Sequence, residues 1–377
     1  MRLLYCIPSL ENCGGTERVL TTRLNYLAEH TSYSLYVVTT ERQLSPPYFK
    51  LNPEISVINL DINFEEDNTL GAKLLNYKRR LRLYKEKLSE LIRELKPDIV
   101  TSMLSHEIDF LSNLEDGSAK IGENHFNRNF RYEFVKNNSK NILRRTIAKC
   151  RDFVLGYNVS KLDALVTLTQ EDADAWPDVV KKLVIPNPLS FTQKQKSRGG
   201  SKQIVAAGRL TREKGFDMLL DAWRLIFKFY PDWSLMIYGE GDEREGLQSF
   251  IQSQGIENVC IHPFVPNISD KFVESDFYVL SSRFEGFGLV IIEAMECGLP
   301  VVAFDCQSGP GEIITDGKDG ILVKIGDVVA LADAMRCLMD DGRLRSAMGL
   351  SAIEKANRYS IDNIMSKWIN LYRTISC

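Results

Sequence analysis

Short, apolar, β-rich runs alternate with segments of helical periodicity along the chain, and this alternation restricts the fold more than any other feature. It marks parallel α/β sheets whose strands are joined by crossover helices. In the first half, strand-like runs fall near residues 2–8, 33–40, 55–60, 98–104, 120–124, 163–169 and 182–186. The rhythm restarts at 203–207 and continues at 233–238, 259–264, 277–281, 300–304 and 320–323. The 377 residues exceed what one hydrophobic core usually serves. Two Rossmann-like domains are therefore expected, residues 1–189 and 203–360. Between them, residues 190–202 are polar and Gly-rich without apolar periodicity, and read as a linker. The last helix, 361–377, repeats Ile364, Trp368, Leu371 and Tyr372 at helical spacing. That apolar face needs a partner and is expected to cross back to the first domain.

A hydrophobic share of 44% and a charged share of 26% suit a folded globular protein. The net charge of −3 argues against nucleic acid as a partner. The eight cysteines are scattered, with no C-x-x-C pair, so free and mostly buried thiols in a reducing cytosol are expected, and no zinc site. The chain opens directly on a strand-like run that leaves no room for a signal peptide. Its longest apolar stretches fall far short of the roughly 20 residues that cross a bilayer.

Ligands of doubly wound sheets gather at the carboxyl ends of the strands, so two such domains facing across a cleft would suit a two-substrate reaction. The sharpest motif runs from Glu285 to Glu293, after the strand at 277–281, with seven residues between the two carboxylates. The amides of Phe287, Gly288 and Leu289 would point out of a helix N-terminus, where anions bind. Glu293 falls inside an otherwise apolar helix, where an unpaired charge is costly. The plain alternative is a connection with solvent-facing acids. A second motif, Gly208-Arg209-Leu210 through Lys214-Gly215, follows the first strand of the second domain, where Arg209 and Lys214 could hold a diphosphate as a fork and a point charge. Its plain alternative is a solvated basic turn.

Taken with Gly14-Gly15 after the first strand, Val184 to Pro188, Tyr238 to Asp242 and Ser308 to Ile314, these motifs resemble glycosyltransferase family 4 over nearly the whole chain. The resemblance implies the GT-B fold and retaining transfer of a hexose or N-acetylhexosamine from a nucleotide-diphosphate sugar. It assigns Arg209 and Lys214 to the donor diphosphate, Glu293 to the ribose hydroxyls and Glu285 to hydroxyls of the transferred sugar. Phe287, Gly288 and Leu289 would bind sugar and phosphate through their amides, and Gly14-Gly15 would approach from the first domain, where glycine lets backbone come near a ligand. His125 ends a strand where similar enzymes place a histidine near the sugar; His30, His106 and His262 lack that context. The leaving group is a nucleoside diphosphate, so charge stabilisation matters more than a strong acid. Arg209 and Lys214 would supply it, with no metal and no cofactor beyond the donor, for which uridine is expected over guanosine.

Three features could mislead. Asp172-Ala173-Asp174 matches the D-x-D of metal-dependent transferases, yet acids in a first helical turn also favour the dipole, and a structural role is expected. Gly239 to Arg244 begins like a dinucleotide fingerprint but has Arg at its sixth position. The stripe Leu74, Tyr77, Leu81, Tyr84, Leu88, Leu91, Leu95, with Lys73 and other basic neighbours, reads either as a helix lying on anionic lipid or as one packed on the sheet. A second basic stretch, Arg128, Arg131, Lys136, Lys140, Arg144, Arg145, Lys149 and Arg151 with Phe130, Tyr132 and Phe134, suggests an anionic acceptor. A lipid-linked diphosphate sugar at the cytoplasmic membrane face would fit. The main expectation is thus a transferase acting on a glycan or lipid-linked acceptor in cell-surface polysaccharide synthesis. A nucleotide-sugar-binding protein without turnover and an NAD-dependent oxidoreductase are the competing readings.

Overall fold

The computed structural model describes residues 1–64, 66, 70–128, 142–177 and 181–376, the side chains of 70–75 and 142–144 excepted. Two compact units result: Met1–Pro188 with Ile361–Cys377, and Leu189–Ser360.

Unit 1 is built on a parallel sheet of seven strands: β1 (Arg2–Ile7), β2 (Ser34–Thr39), β3 (Ser56–Asn59), β4 (Ile99–Ser102), β5 (Ala119–Glu123), β6 (Ala164–Thr167) and β7 (Lys182–Val184). Their order is β3-β2-β1-β4-β5-β6-β7. The central strand shows why it reads as a continuous apolar run. Leu3, Tyr5 and Ile7 face one core, with Leu20, Leu24 and Leu27. Leu4 and Cys6 face the other, with Tyr84, Leu88 and Ile92. A strand covered on both faces has no polar side to alternate with. Tyr84, Leu88 and Ile92 belong to the helix Leu70–Leu95, so its apolar stripe packs on the sheet and is not available to lipid. Lys73 and Leu74 lie outside the described side chains.

The terminal helix Ile361–Ile375 belongs to unit 1, where Ile364, Met365, Trp368, Leu371 and Tyr372 are buried in the first of these cores. Side chains of this size contribute about 1.5–3 kcal/mol each when fully buried, which accounts for the return of the chain.

Unit 2 has six parallel strands: β8 (Gln203–Ala207), β9 (Ser234–Tyr238), β10 (Val259–His262), β11 (Phe277–Leu280), β12 (Val301–Asp305) and β13 (Gly320–Lys324). Their order is β10-β9-β8-β11-β12-β13, so the order of connection, with all strands parallel, reverses between β8 and β11. The segment expected to be a linker belongs to this unit. Ser197 N donates to Cys297 O at 2.8 Å, Gly200 N to Asp276 Oδ1 at 2.7 Å and Lys196 Nζ to Glu296 Oε1 at 2.7 Å. Its polar side chains and glycines bind backbone and buried carboxylates, which a composition-based reading cannot distinguish from solvation.

The seven described cysteines carry free thiols, and Cys377 lies outside the described residues. The expectation that most are buried is corrected: Cys6, Cys297 and Cys306 are, but Cys13, Cys150, Cys260 and Cys337 are exposed. Among the described residues no helix is long and apolar enough to cross a membrane.

Candidate functional site

The reversal of strand order between β8 and β11 opens a crevice at their carboxyl ends, where doubly wound sheets bind ligands. The loop after β8 carries Arg209 and Lys214, and the loop after β11 carries Glu285. Lys214 Nζ meets Glu285 Oε1 at 2.7 Å, and Ser282 Oγ donates to the same oxygen at 2.6 Å. Glu285 is buried, Lys214 half-buried and Arg209 exposed. Gly215 makes this approach possible. Its φ is +64°, and a Cβ there would stand 2.1 Å from Ser281 O. Arg283 ties the two loops further, with Nη1 donating to Arg212 O at 2.8 Å and a bidentate pair to Asp217 at 2.7 and 2.6 Å.

Gly288, at φ +90°, opens the helix Leu289–Glu296 with no side chain capping it. Its first amides can therefore receive an anion. Phe287 is buried, its ring edge-on to Tyr359 at 5.8 Å. Glu293 is 3% exposed and accepts from Ser190 Oγ at 2.6 Å. One turn on, Glu296 is buried as well and accepts from Gln193 N at 3.1 Å and from Lys196. The helix is thus held by residues 190–196 through two carboxylates. Only the first was read from the sequence, although Glu296 carries the same signal, an acid in an apolar helix.

In unit 1, Gly14 is the N-cap of the helix Gly15–His30, again without a side-chain cap. Its φ of −73° and ψ of 160° are open to any residue. The glycine is therefore not required by backbone conformation, and its missing side chain leaves space only beside Glu17. His125 follows β5 and is 9% exposed, with Nε2 3.0 Å from Glu123 Oε1. The loop that carries it is fastened by Asp172, which accepts from Asn124 Nδ2 at 2.7 Å, Arg128 N at 2.8 Å and Trp176 Nε1 at 3.3 Å. Burial raises the Asp172 pKa, and these donors lower it in part. Asp172 is structural as expected, but as a buried acceptor rather than as a charge on the helix dipole. Asp174 takes a different partner, Gln170 Nε2 at 2.7 Å. His30, His106 and His262 stack on Tyr26, Phe64 and Tyr238. At the carboxyl ends of β1 and β2, a depression of about 360 Å³ is lined by Glu11, Glu41 and Glu66 with Arg42 and the polar Asn12 and Asn63 among them.

Residues 190–355, nearly all of unit 2, match the family model "Glycosyl transferases group 1". The chain is a glycosyltransferase of the GT-B fold. It is 29% identical over 371 residues to an uncharacterized glycosyltransferase of Haemophilus influenzae, covering 97% of this chain and 98% of that one. The amylovoran biosynthesis glycosyltransferase AmsD of Erwinia amylovora is 27% identical over 393 residues, with 97% and 98% coverage. A Campylobacter jejuni protein, GalNAc-alpha-(1->4)-GalNAc-alpha-(1->3)-diNAcBac-PP-undecaprenol alpha-1,4-N-acetyl-D-galactosaminyltransferase, is 24% identical with 98% coverage of both chains. Among solved structures, S. aureus TarM in complex with Fondaparinux, alpha-GlcNAc-glycerol and UDP superposes with a TM-score of 0.78 at 17% identity, covering 98% of this chain and 99% of that one.

The glycosyltransferase brings Lys214, Glu285, Phe287, Gly288 and Leu289 to one crevice, with Arg209 on its exposed edge and Glu293 one turn into the helix behind it. Gly14, Gly15 and His125 lie on unit 1, at the carboxyl ends of β1 and β5. The family match sets the oxidoreductase reading aside. In the glycosyltransferase, the Arg244 that breaks the dinucleotide fingerprint is a tie between strands, donating to Gly239 O at 3.0 Å and Ile261 O at 3.1 Å. Arg283, Ser190 and Ser282 were missed by the sequence reading. A single Ser or Arg in a loop carries no periodicity to flag it.

Proposed function

We propose that this glycosyltransferase is a retaining enzyme of the family 4 type. It takes a hexose or N-acetylhexosamine from a UDP-sugar and passes it to a glycan or lipid-linked acceptor in cell-surface polysaccharide synthesis. The observation that carries the reading is the Lys214–Glu285 contact at the β8–β11 crevice, beside the uncapped helix that Gly288 opens. A diphosphate there would lie against Lys214, Arg209 and the amides of Phe287 to Leu289, with Glu285 turned to the sugar hydroxyls and Glu293 to the ribose. The bond from the anomeric carbon to phosphate breaks, and a bond to the acceptor oxygen forms on the same face. The acceptor's proton passes to the departing phosphate oxygen. Basic side chains and amides stabilise the charge that develops on that phosphate, so no divalent cation is needed. The UDP in the TarM complex supports the nucleotide, and the Campylobacter relative, an N-acetylgalactosaminyltransferase acting on a PP-undecaprenol-linked glycan, supports a lipid-linked acceptor.

One surface of unit 1 supports contact with an anionic membrane. The helix Ile142–Val159 exposes Ile147, Phe153, Val154 and Tyr157 together with Lys149 and Arg151. Apolar side chains flanked by basic ones suit an anionic interface. Of the basic stretch read from the sequence, Arg131, Lys136 and Lys140, with Phe130, Tyr132 and Phe134, lie outside the described residues, as does the Arg144 side chain.

The test is a screen of UDP- and GDP-sugars for release of free nucleoside diphosphate. Release from a UDP-sugar, lost in Arg209→Ala, is expected. Tight UDP binding without release from any donor would instead favour a binding protein.

A further inference from the structure

The His125 loop ends a chain of buried charges that reaches the last helix. Arg23, on the helix Gly15–His30, is 1% exposed and donates from both terminal nitrogens to Glu123, at 2.8 and 2.6 Å. Glu123 is equally buried at the end of β5. Trp368 covers the guanidinium, its ring centre 4.1 Å from Cζ, and Tyr5 lies on it at 5.3 Å. The hydroxyls of Tyr5 and Tyr372 bond to each other at 2.8 Å. The ionisable groups around the chain are therefore Tyr5 from β1, Arg23 from the first helix and Tyr372 from the last. Burial pushes the Glu123 carboxyl up, yet the Arg23 guanidinium and His125 hold it down to about 2.

A bidentate arginine already compensates a buried carboxylate. Glu123 nevertheless keeps Oε1 3.0 Å from His125 Nε2, a buried nitrogen with no aligned hydrogen-bond partner. That geometry is a poorly closed contact whose final alignment can follow a turn of the ring. In apo sites such bonds commonly tighten only when substrate binds.

We propose that Glu123, held by Arg23 under Trp368, is a positioning residue for His125. The carboxylate takes Nε2, so that the ring presents Nδ1 to a hydroxyl of the transferred sugar or acceptor. The last helix thereby supports the reaction centre through Arg23 without touching substrate. This rests on the reading that His125 serves the transfer.

The test joins NMR of ring-labelled histidine in the full chain with hydrolysis of UDP-glucose and UDP-GlcNAc, for Glu123→Gln, His125→Ala and the double variant. In Glu123→Gln the anion beside Nε2 is removed and the Arg23 cation stays, so the ring-nitrogen shifts of His125 should move away from those of wild type. Its hydrolysis kcat should fall at least 10-fold with donor KM unchanged. The double variant should be no slower than His125→Ala. Ring-nitrogen shifts identical to wild type, or losses that multiply in the double variant, would overturn the positioning role. Full activity in His125→Ala would overturn the underlying reading instead. Should Glu123→Gln fail to fold, Glu123→Asp keeps the charge for Arg23 while drawing it away from the ring. The same loss of kcat is expected there, and wild-type kcat would count against the proposal.

Discussion

Lys214 Nζ lies 2.7 Å from Glu285 Oε1 across 71 residues of sequence, which joins the cation proposed for the phosphate to the anion proposed for the sugar. Glu285, itself held by Ser282 Oγ, neutralises Lys214 and fixes its direction. Arg209→Ala should weaken UDP binding roughly 10- to 100-fold, as expected for about 1.5–3 kcal/mol from hydrogen bonds to a charged group. Thermal stability should barely change, because Arg209 is exposed. Lys214→Ala should weaken UDP binding similarly and also lower Tm, since it strands the Glu285 charge. Adding Glu285→Gln should restore Tm but not affinity. Calorimetry with UDP and a melting curve for each variant make the comparison, and unchanged UDP affinity in both single variants would remove the phosphate assignment.

Glu293 accepts from Ser190 through Oε1, which fixes the carboxylate that ribose would meet. Glu293→Gln should weaken UDP binding while barely altering binding of 2′-deoxy-UDP. Ser190→Ala should do the same to a smaller degree, because it removes one hydrogen bond to the carboxylate and leaves the carboxylate in place. Equal losses for both nucleotides would make Glu293 a structural residue.

Turnover should persist in a chelator. On the proposed reading, Lys214, Arg209 and the helix amides together would offset the charge that a divalent ion handles in other transferases. Release of UDP is measured with and without EDTA, and activity that collapses and returns with manganese contradicts the expectation.

The exposed face of the helix Ile142–Val159 should bind anionic vesicles in a salt-sensitive way, each nearby basic residue contributing about 1 kcal/mol within a Debye length. Lys149→Glu with Arg151→Glu should reduce co-sedimentation at low salt, and Phe153→Ala with Tyr157→Ala should reduce it at high salt too. UDP affinity should stay at the wild-type value in both pairs. Wild-type protein that stays in the supernatant at low salt would make these side chains an ordinary solvated face.

Stability should depend on acid through Glu123. Its folded pKa of about 2 lies below the ordinary 4.5, so the group stabilises the fold above that ordinary value, and the contribution fades as pH falls from there to about 2. At about 1.4 kcal/mol per pKa unit the full effect is on the order of 3 kcal/mol. Glu123→Gln lacks this dependence, so the Tm gap between wild type and variant should narrow through that window. A constant gap would show that the carboxylate does not carry the effect.

Much of the fold was legible because strand runs buried on both faces leave continuous apolar stretches, as Leu3 to Ile7 do. The terminal helix declared its need for a partner through Trp368 and Tyr372. Both loops at the β8–β11 crevice were legible as motifs too, since glycines at Gly215 and Gly288 punctuate the chain where it must turn tightly. Segment 190–202 was not, because Ser190, Gln193 and Lys196 look solvated until their carboxylate partners are known.

Periodicity in the sequence determined which residues are buried, and so the two α/β units, their strands and the face of the last helix. Local chemistry determined that Arg209, Lys214 and Glu285 sit in loops at strand ends. Which of those ends are neighbours was decided by tertiary structure. β8 pairs with β11 rather than with the intervening β10, and only that order brings Lys214 to Glu285. The same holds for Arg23, 100 residues from Glu123, which reads in sequence as one more basic residue on an amphipathic helix. Its charge is buried because a carboxylate from β5 and an indole from the last helix converge on it. A pairing of that kind depends on the packing of three distant segments, and no local pattern encodes it.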